Sequence, residues 1–258
     1  MPAARFPVAE AQIVALFMEA VAYGLYLVTL GLCVRALFWG RRRERRNWPL
    51  VVVAALMALF ATLDVAFGLR HNLDAFIFYT GPGGADAEFE DISYWVNVMK
   101  TVDVQMMTLI GDGMLIYRCL VVFARRWAVV ALPALLWLAN AVCSAVIIYI
   151  TSTLRTDALL SIAQLAPFLT AFLVLTLATN VLTTGLIVWR IWRIDRQTAA
   201  LAARPARRRS RLANVVRILV ESGALYTALV LATFGTELAG SNAIYGVSDV
   251  MVVVVGIS

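Results

Sequence analysis

The residues able to do chemistry in this chain are ionisable and amide side chains set singly inside long apolar stretches. Glu19, Asp64, Lys100, Asp103, Gln164 and Asp249 fall at one depth within their stretches, and Asp112, Arg118, Arg217 and Glu221 at another. Charge in such surroundings is costly unless it pairs, meets water or serves a site. Lys100 and Asp103 stand three apart, a spacing that puts them on one helix face and allows a local ion pair. Arg217 and Glu221 stand four apart and can pair in the same way. The first group reads as the lining of an outer polar cavity for a small ligand or ion. The second reads as a set of alternative ion pairs, a switch of the kind a receptor or gated transporter needs. Interhelical hydrogen bonds that simply hold helices together are the plainer account of both groups. Gln105, Asp112 and Cys119 recur every seven residues and so share nearly one helix face, with Tyr117 elsewhere on the circumference.

Several chemistries find no support. The single histidine, His71, falls in what reads as an outer loop beginning at Leu69, so at most one Ser-His-Asp triad can be imagined and no arrangement supports hydrolysis. Neither a phosphate-cradling glycine loop followed by lysine nor a dinucleotide fingerprint occurs, and Gly81, Gly83 and Gly84 around Pro82 read as a flexible turn. Cys33, Cys119 and Cys143 lie in apolar stretches without metal-ligand spacing and read as structural thiols. A covalent retinal protein needs a lysine deep in a helix bundle, and Lys100 is the sole lysine. The chain is therefore not read as an enzyme, and no cofactor or metal is expected.

The elements that must position these residues are membrane helices. Of the 258 residues 62% are hydrophobic and 15% charged, more apolar side chain than one soluble core can bury. The apolar runs reach or exceed the roughly 18–20 residues that cross hydrocarbon, and the ten-residue alternation of a β-barrel is missing. The expected fold is an all-α polytopic transmembrane bundle forming a single domain. Seven spans are expected near 12–38, 49–68, 92–122, 129–150, 160–191, 212–238 and 245–258. The last is too short for a comfortable crossing and reads as a truncated span. Pro49 suits a first helical turn, Pro167 is expected to bend the outer turns of the fifth span, and Pro205 to break the basic stretch 192–211.

Charge orients the bundle. Eighteen arginines flank three inter-span positions on one side, including 41–46, 118–126 and 190–217, whereas the other side holds Arg5, Arg70 and Arg155 and most loop carboxylates. By the positive-inside bias the N-terminus is outside, the C-terminus inside and 192–211 a basic cytoplasmic loop. The net charge of +6 is thus a topology signal, and no nucleic-acid partner is expected. The expected partners are membrane lipid, a small-molecule ligand and a cytoplasmic partner at the basic loops. The expected location is a cellular membrane, the plasma membrane first.

Two motifs, Gly111-Asp112-Gly113 followed by Ile116-Tyr117-Arg118-Cys119, and Glu221-Ser222-Gly223-Ala224-Leu225-Tyr226-Thr227, resemble those of a large uncharacterised family of multi-pass membrane proteins from mushroom-forming fungi. The resemblance covers nearly the whole chain. It implies about seven spans, with a last helix that continues beyond the counterpart of Gly256-Ile257, and it implies no activity. The seven-span plan and Tyr117-Arg118 near the cytoplasmic end of the third span also resemble G-protein-coupled receptors. The chain departs from those receptors in having no acidic residue directly before Arg118 and no proline in the sixth span. A receptor-like sensor is the first functional expectation, with a small-solute transporter or a structural membrane protein as alternatives.

Overall fold

The computed structural model describes residues 8–39, 48–79, 81, 95–153, 158–201, 206–238, 250, 251, 254 and 256, with backbone alone at 36–39, 158–164, 195, 197–201, 206–219, 237 and 238. All of the regular structure there is helical. Six long helices run α1 (Val8–Trp39), α2 (Trp48–Leu73), α3 (Trp95–Val122), α4 (Trp127–Thr153), α5 (Ala158–Leu201) and α6 (Ala206–Leu238), and α2 continues into one π-helical turn, Asp74–Phe78.

Among the described residues five segments are long and apolar enough to cross a membrane: Val8–Arg35, Trp48–Phe78, Trp95–Val122, Trp127–Thr153 and Leu165–Ile194. This corrects the expected seven spans to five. The sixth expected span, 212–238, lies within α6, whose side chains are described only at 220–236, and is not among the five. Of the seventh, only Val250, Met251, Val254 and Gly256 are described, all helical, so a length for that segment falls outside the described residues.

The burial pattern is that of a protein solvated by lipid. Large apolar side chains such as Phe17, Leu25 and Val28 on α1, Leu135 and Val142 on α4 and Val181 on α5 face outward, while the interior holds many of the polar groups. An interior packed with Glu, Asp, Asn, Gln and Thr beneath an apolar exterior fits hydrocarbon better than water. The chain is an integral, multi-pass membrane protein.

α3 is the central helix, packing against α2, α4 and α5. Its position suits its composition, since the most polar span packs against three neighbours. Gln105, Asp112 and Cys119 are all buried, as their seven-residue repeat requires, and Tyr117 is exposed. α1 rests on α2 through a seam of small residues, with Ala11 and Ala15 buried on α1 and Ala61 and Gly68 on α2. Small side chains at four- and seven-residue spacing let two helices approach where no hydrophobic drive exists between them. The main core gathers Tyr26, Met57, Met107, Ile147, Phe172 and Tyr226, and a smaller cluster of Cys119, Phe123, Val130 and Ile187 closes the arginine-rich end.

Where a loop was expected from Leu69, α2 instead continues for another turn and more. Arg70 Nε meets Asp74 Oδ2 at 2.9 Å four residues on, and Asn72 Nδ2 donates to the Gly68 carbonyl at 2.9 Å. His71 is consequently a buried helical residue and not a loop residue.

Candidate functional site

Polar residues of the bundle interior form two groups at different depths along α3. In the half nearer the start of α3, Glu19 on α1 is fully buried and its Oε2 lies 3.5 Å from Lys100 Nζ on α3. The two charged atoms meet beside Gly68 of α2, where a Cβ would stand 2.9 Å from Glu19 Oε2 and 3.3 Å from Lys100 Nζ. The absent side chain at Gly68 is what lets α1 and α3 reach each other across α2. Lys100 therefore pairs between helices with Glu19, and not with Asp103 as the three-residue spacing suggests. Asp103 is buried, and its Oδ2 has no hydrogen-bond partner among the described residues. Asp64 is also buried, one turn before Gly68 on the same face of α2. Of the other outer candidates, the Gln164 side chain and the whole of Asp249 lie outside the described residues.

In the other half, Asp112 on α3 anchors a chain of hydrogen bonds through three helices. Thr176 Oγ1 on α5 donates to Asp112 Oδ2 at 2.6 Å, and the same hydroxyl shares a 3.1 Å hydrogen bond with the Tyr226 hydroxyl on α6. All three side chains are buried. One turn further along α5, Asn180 Nδ2 donates to the Gly223 carbonyl and to Thr227 Oγ1, and Thr184 donates to Asn180 Oδ1. Gly223 gives α5 and α6 their close approach, since a Cβ there would stand 3.2 Å from the Thr184 side chain. α3 and α4 are joined separately, by Ser144 donating to Gln105 Oε1 at 2.8 Å and by the Trp137 indole donating to the Leu109 carbonyl at 2.9 Å.

The expected switch residues are placed as follows. Asp112 is held by Thr176 and makes no ion pair with Arg118, which is six residues and about 9 Å further along the helix. Glu221 sits on an exposed face of α6, and the Arg217 side chain lies outside the described residues. What Asp112 and Arg118 do share is a cavity of about 240 Å³ between α1, α2, α3 and α6. Its walls are largely apolar, with Leu30, Val53, Met57 and Leu115 among them, and its polar groups include Asp112, Arg118, Tyr226, Thr29 and Cys33. This cavity lies at the inner group, while in the outer group Glu19 and Lys100 meet beside Gly68. No known protein family, curated protein or solved structure matches this chain.

Sequence reasoning passed over Thr176, Tyr226, Tyr26 and Gly68. A signal existed for the first, because Thr176, Thr179 and Thr183 recur at helical spacing and all face inward. Gly68 offered none, as its role depends on which helices flank it.

Proposed function

We propose that this membrane protein is a receptor-like sensor whose small-molecule ligand occupies the cavity beside Asp112, Tyr226 and Arg118. The observation that carries this reading is that both ends of the Asp112–Thr176–Tyr226 chain line that cavity. A ligand that donates to Asp112 or bonds the Tyr226 hydroxyl competes with Thr176 and so changes how α3, α5 and α6 are tied. Hydrogen bonds to a charged group contribute about 1.5–3 kcal/mol, enough to shift a two-state equilibrium about tenfold or more. The cavity is slightly smaller than the roughly 300–1,000 Å³ of drug-sized sites, which favours a small amphipathic ligand. In this reading the arginine-rich ends face the cytoplasm, the membrane is the plasma membrane, and the basic loops meet a cytoplasmic partner. No catalysis is invoked, and kinship with the fungal multi-pass family forms part of the same proposal.

Spin labels at exposed Val121 on α3 and Leu225 on α6, in a background lacking the native cysteines, test it in nanodiscs. Thr176→Val and Asp112→Asn are expected to broaden or shift the distance distribution. Distributions unchanged by both substitutions and by a panel of small amphiphiles would leave a static network as the only account of the polar chain.

A small-solute transporter is the second reading, favoured by the Glu19–Lys100 pair and buried Asp103 in the opposite half of the same bundle. Net solute movement into proteoliposomes, lost in Lys100→Met, separates it from the sensor.

A further inference from the structure

The turn between α3 and α4 and the end of α5 carry five arginines in one place. The turn is tight, with Arg125 N–H donating to the Leu120 carbonyl at 2.9 Å, and it runs through two left-handed non-glycine residues, Ala124 at φ 52° and Arg125 at φ 63°. It leaves Arg125 and Arg126 exposed. Phe123 docks the turn on α5, its ring stacked on Trp189 at 6.4 Å and lying 5.6 Å beneath the Arg190 guanidinium. Along α5 the pattern repeats, with Arg193 5.5 Å over Trp189 and Arg196 3.7 Å over Trp192. Among the described residues no carboxylate forms an ion pair with any of the five, and the side chain of Asp195 lies outside that set. Arg190 Nε is buried without a hydrogen-bond partner there.

Depth identifies what faces them. The apolar part of α4 begins at Trp127 and that of α5 ends at Ile194, so these arginines stand at the boundary of the hydrocarbon. Half-exposed Trp189 and Trp192 and exposed Trp127 lie at the same level, the position indole rings take among lipid headgroups. A guanidinium stacked by its face keeps its edge donors for an acceptor, and its planar fork fits two phosphate oxygens.

We propose that the phosphate of an anionic phospholipid binds where the α3–α4 turn meets the end of α5, held by Arg190, Arg193 and Arg196 with Arg125 and Arg126. The aromatic rings fix the guanidinium planes, and the lipid supplies the negative charge that the described protein does not.

The full chain in phosphatidylcholine bilayers provides the test, using brominated phosphatidylserine or brominated phosphatidylcholine to quench Trp189 and Trp192. The relative binding constant should favour phosphatidylserine by about fivefold for each arginine engaged. Arg190→Gln with Arg193→Gln should lower that preference roughly twenty-five-fold. Arg190→Lys with Arg193→Lys keeps the charge without the fork and should restore only part of it. Wild-type protein showing no preference overturns the proposal whatever the variants do. So does full restoration by lysine, which would mean a diffuse field and no built site. Inorganic phosphate at matched ionic strength should leave the quenching unchanged, and displacement by it would assign the site to a soluble anion instead.

Discussion

Replacing Lys100 by methionine should cost this protein far more than replacing its partner. At 3.5 Å and an effective dielectric constant near 20, the Glu19–Lys100 attraction is about 5 kcal/mol. Desolvation offsets much of that while both charges are present, but removing one leaves the other in place. The two ends differ in exposure, the Glu19 side chain being 0% and the Lys100 side chain 16% accessible. Lys100→Met withdraws the ammonium from beside a fully enclosed carboxylate, for an expected loss of about 3–5 kcal/mol. Glu19→Gln leaves an amide oxygen facing an ammonium that still reaches its surroundings, so about 1–2 kcal/mol is expected. The double variant should be less destabilised than Lys100→Met alone. For a chain of this size about 2–4 °C accompanies each kcal/mol, which puts the Lys100→Met melting temperature roughly 10 °C below wild type. Buried Cys119 supplies the assay, because a thiol-reactive fluorophore in a Cys33→Ser, Cys143→Ser background reports unfolding as that thiol emerges. Equal losses from the two single substitutions, or additive losses in the double variant, would refute the claim that enclosure of Glu19 sets the energetics.

Gly68→Ala should lower stability measurably by the same assay, since its Cβ would press on the ion pair, whereas Gly24→Ala, with open space around it, should be neutral or gain up to about 1 kcal/mol of helix propensity. Ser144→Ala removes the donor to Gln105 Oε1 and should cost about 1–3 kcal/mol in thermal unfolding. Asn140 is wholly buried, and neither of its side-chain polar atoms has a partner among the described residues, so Asn140→Leu should match or exceed wild-type stability; a clear loss would show that the amide is satisfied elsewhere. Single cysteines at Tyr79 and Arg126 should label from opposite faces of sealed cells, and labelling from one face would overturn the helix order across the bilayer.

Much of this architecture was legible because lipid imposes a length and a polarity on anything that crosses it. α1 to α5 stand out as apolar runs between charged intervals, and the heptad of Gln105, Asp112 and Cys119 announces the inward face of α3. Partnership was much less legible. Spacing along one helix suggested that Lys100 would pair with Asp103, but a bare glycine on a different helix decides that it meets Glu19. Asp112 and Arg118 suggested an ion pair, yet it is a threonine 64 residues away that donates to Asp112 Oδ2. The loop expected from Leu69 was displaced differently, since Arg70 and Asp74 pair along the helix, which continues past His71. The count of spans was less legible, since seven apolar runs suggested seven crossings and five of the described helical segments are long and apolar enough to make one.

The 44 residues of α5 run for about 66 Å, more than twice the hydrocarbon thickness of a bilayer. Pro167 lies near one end of that rod, where it removes a backbone hydrogen bond, and Leu201 closes the other end about 51 Å away. A bend of about 5° at Pro167 therefore carries Leu201 sideways by about 4 Å, with no change in the helix between. The proportions are those of a mechanical lever, turning a slight rearrangement near one membrane face into a displacement at the other that a docked neighbour can feel.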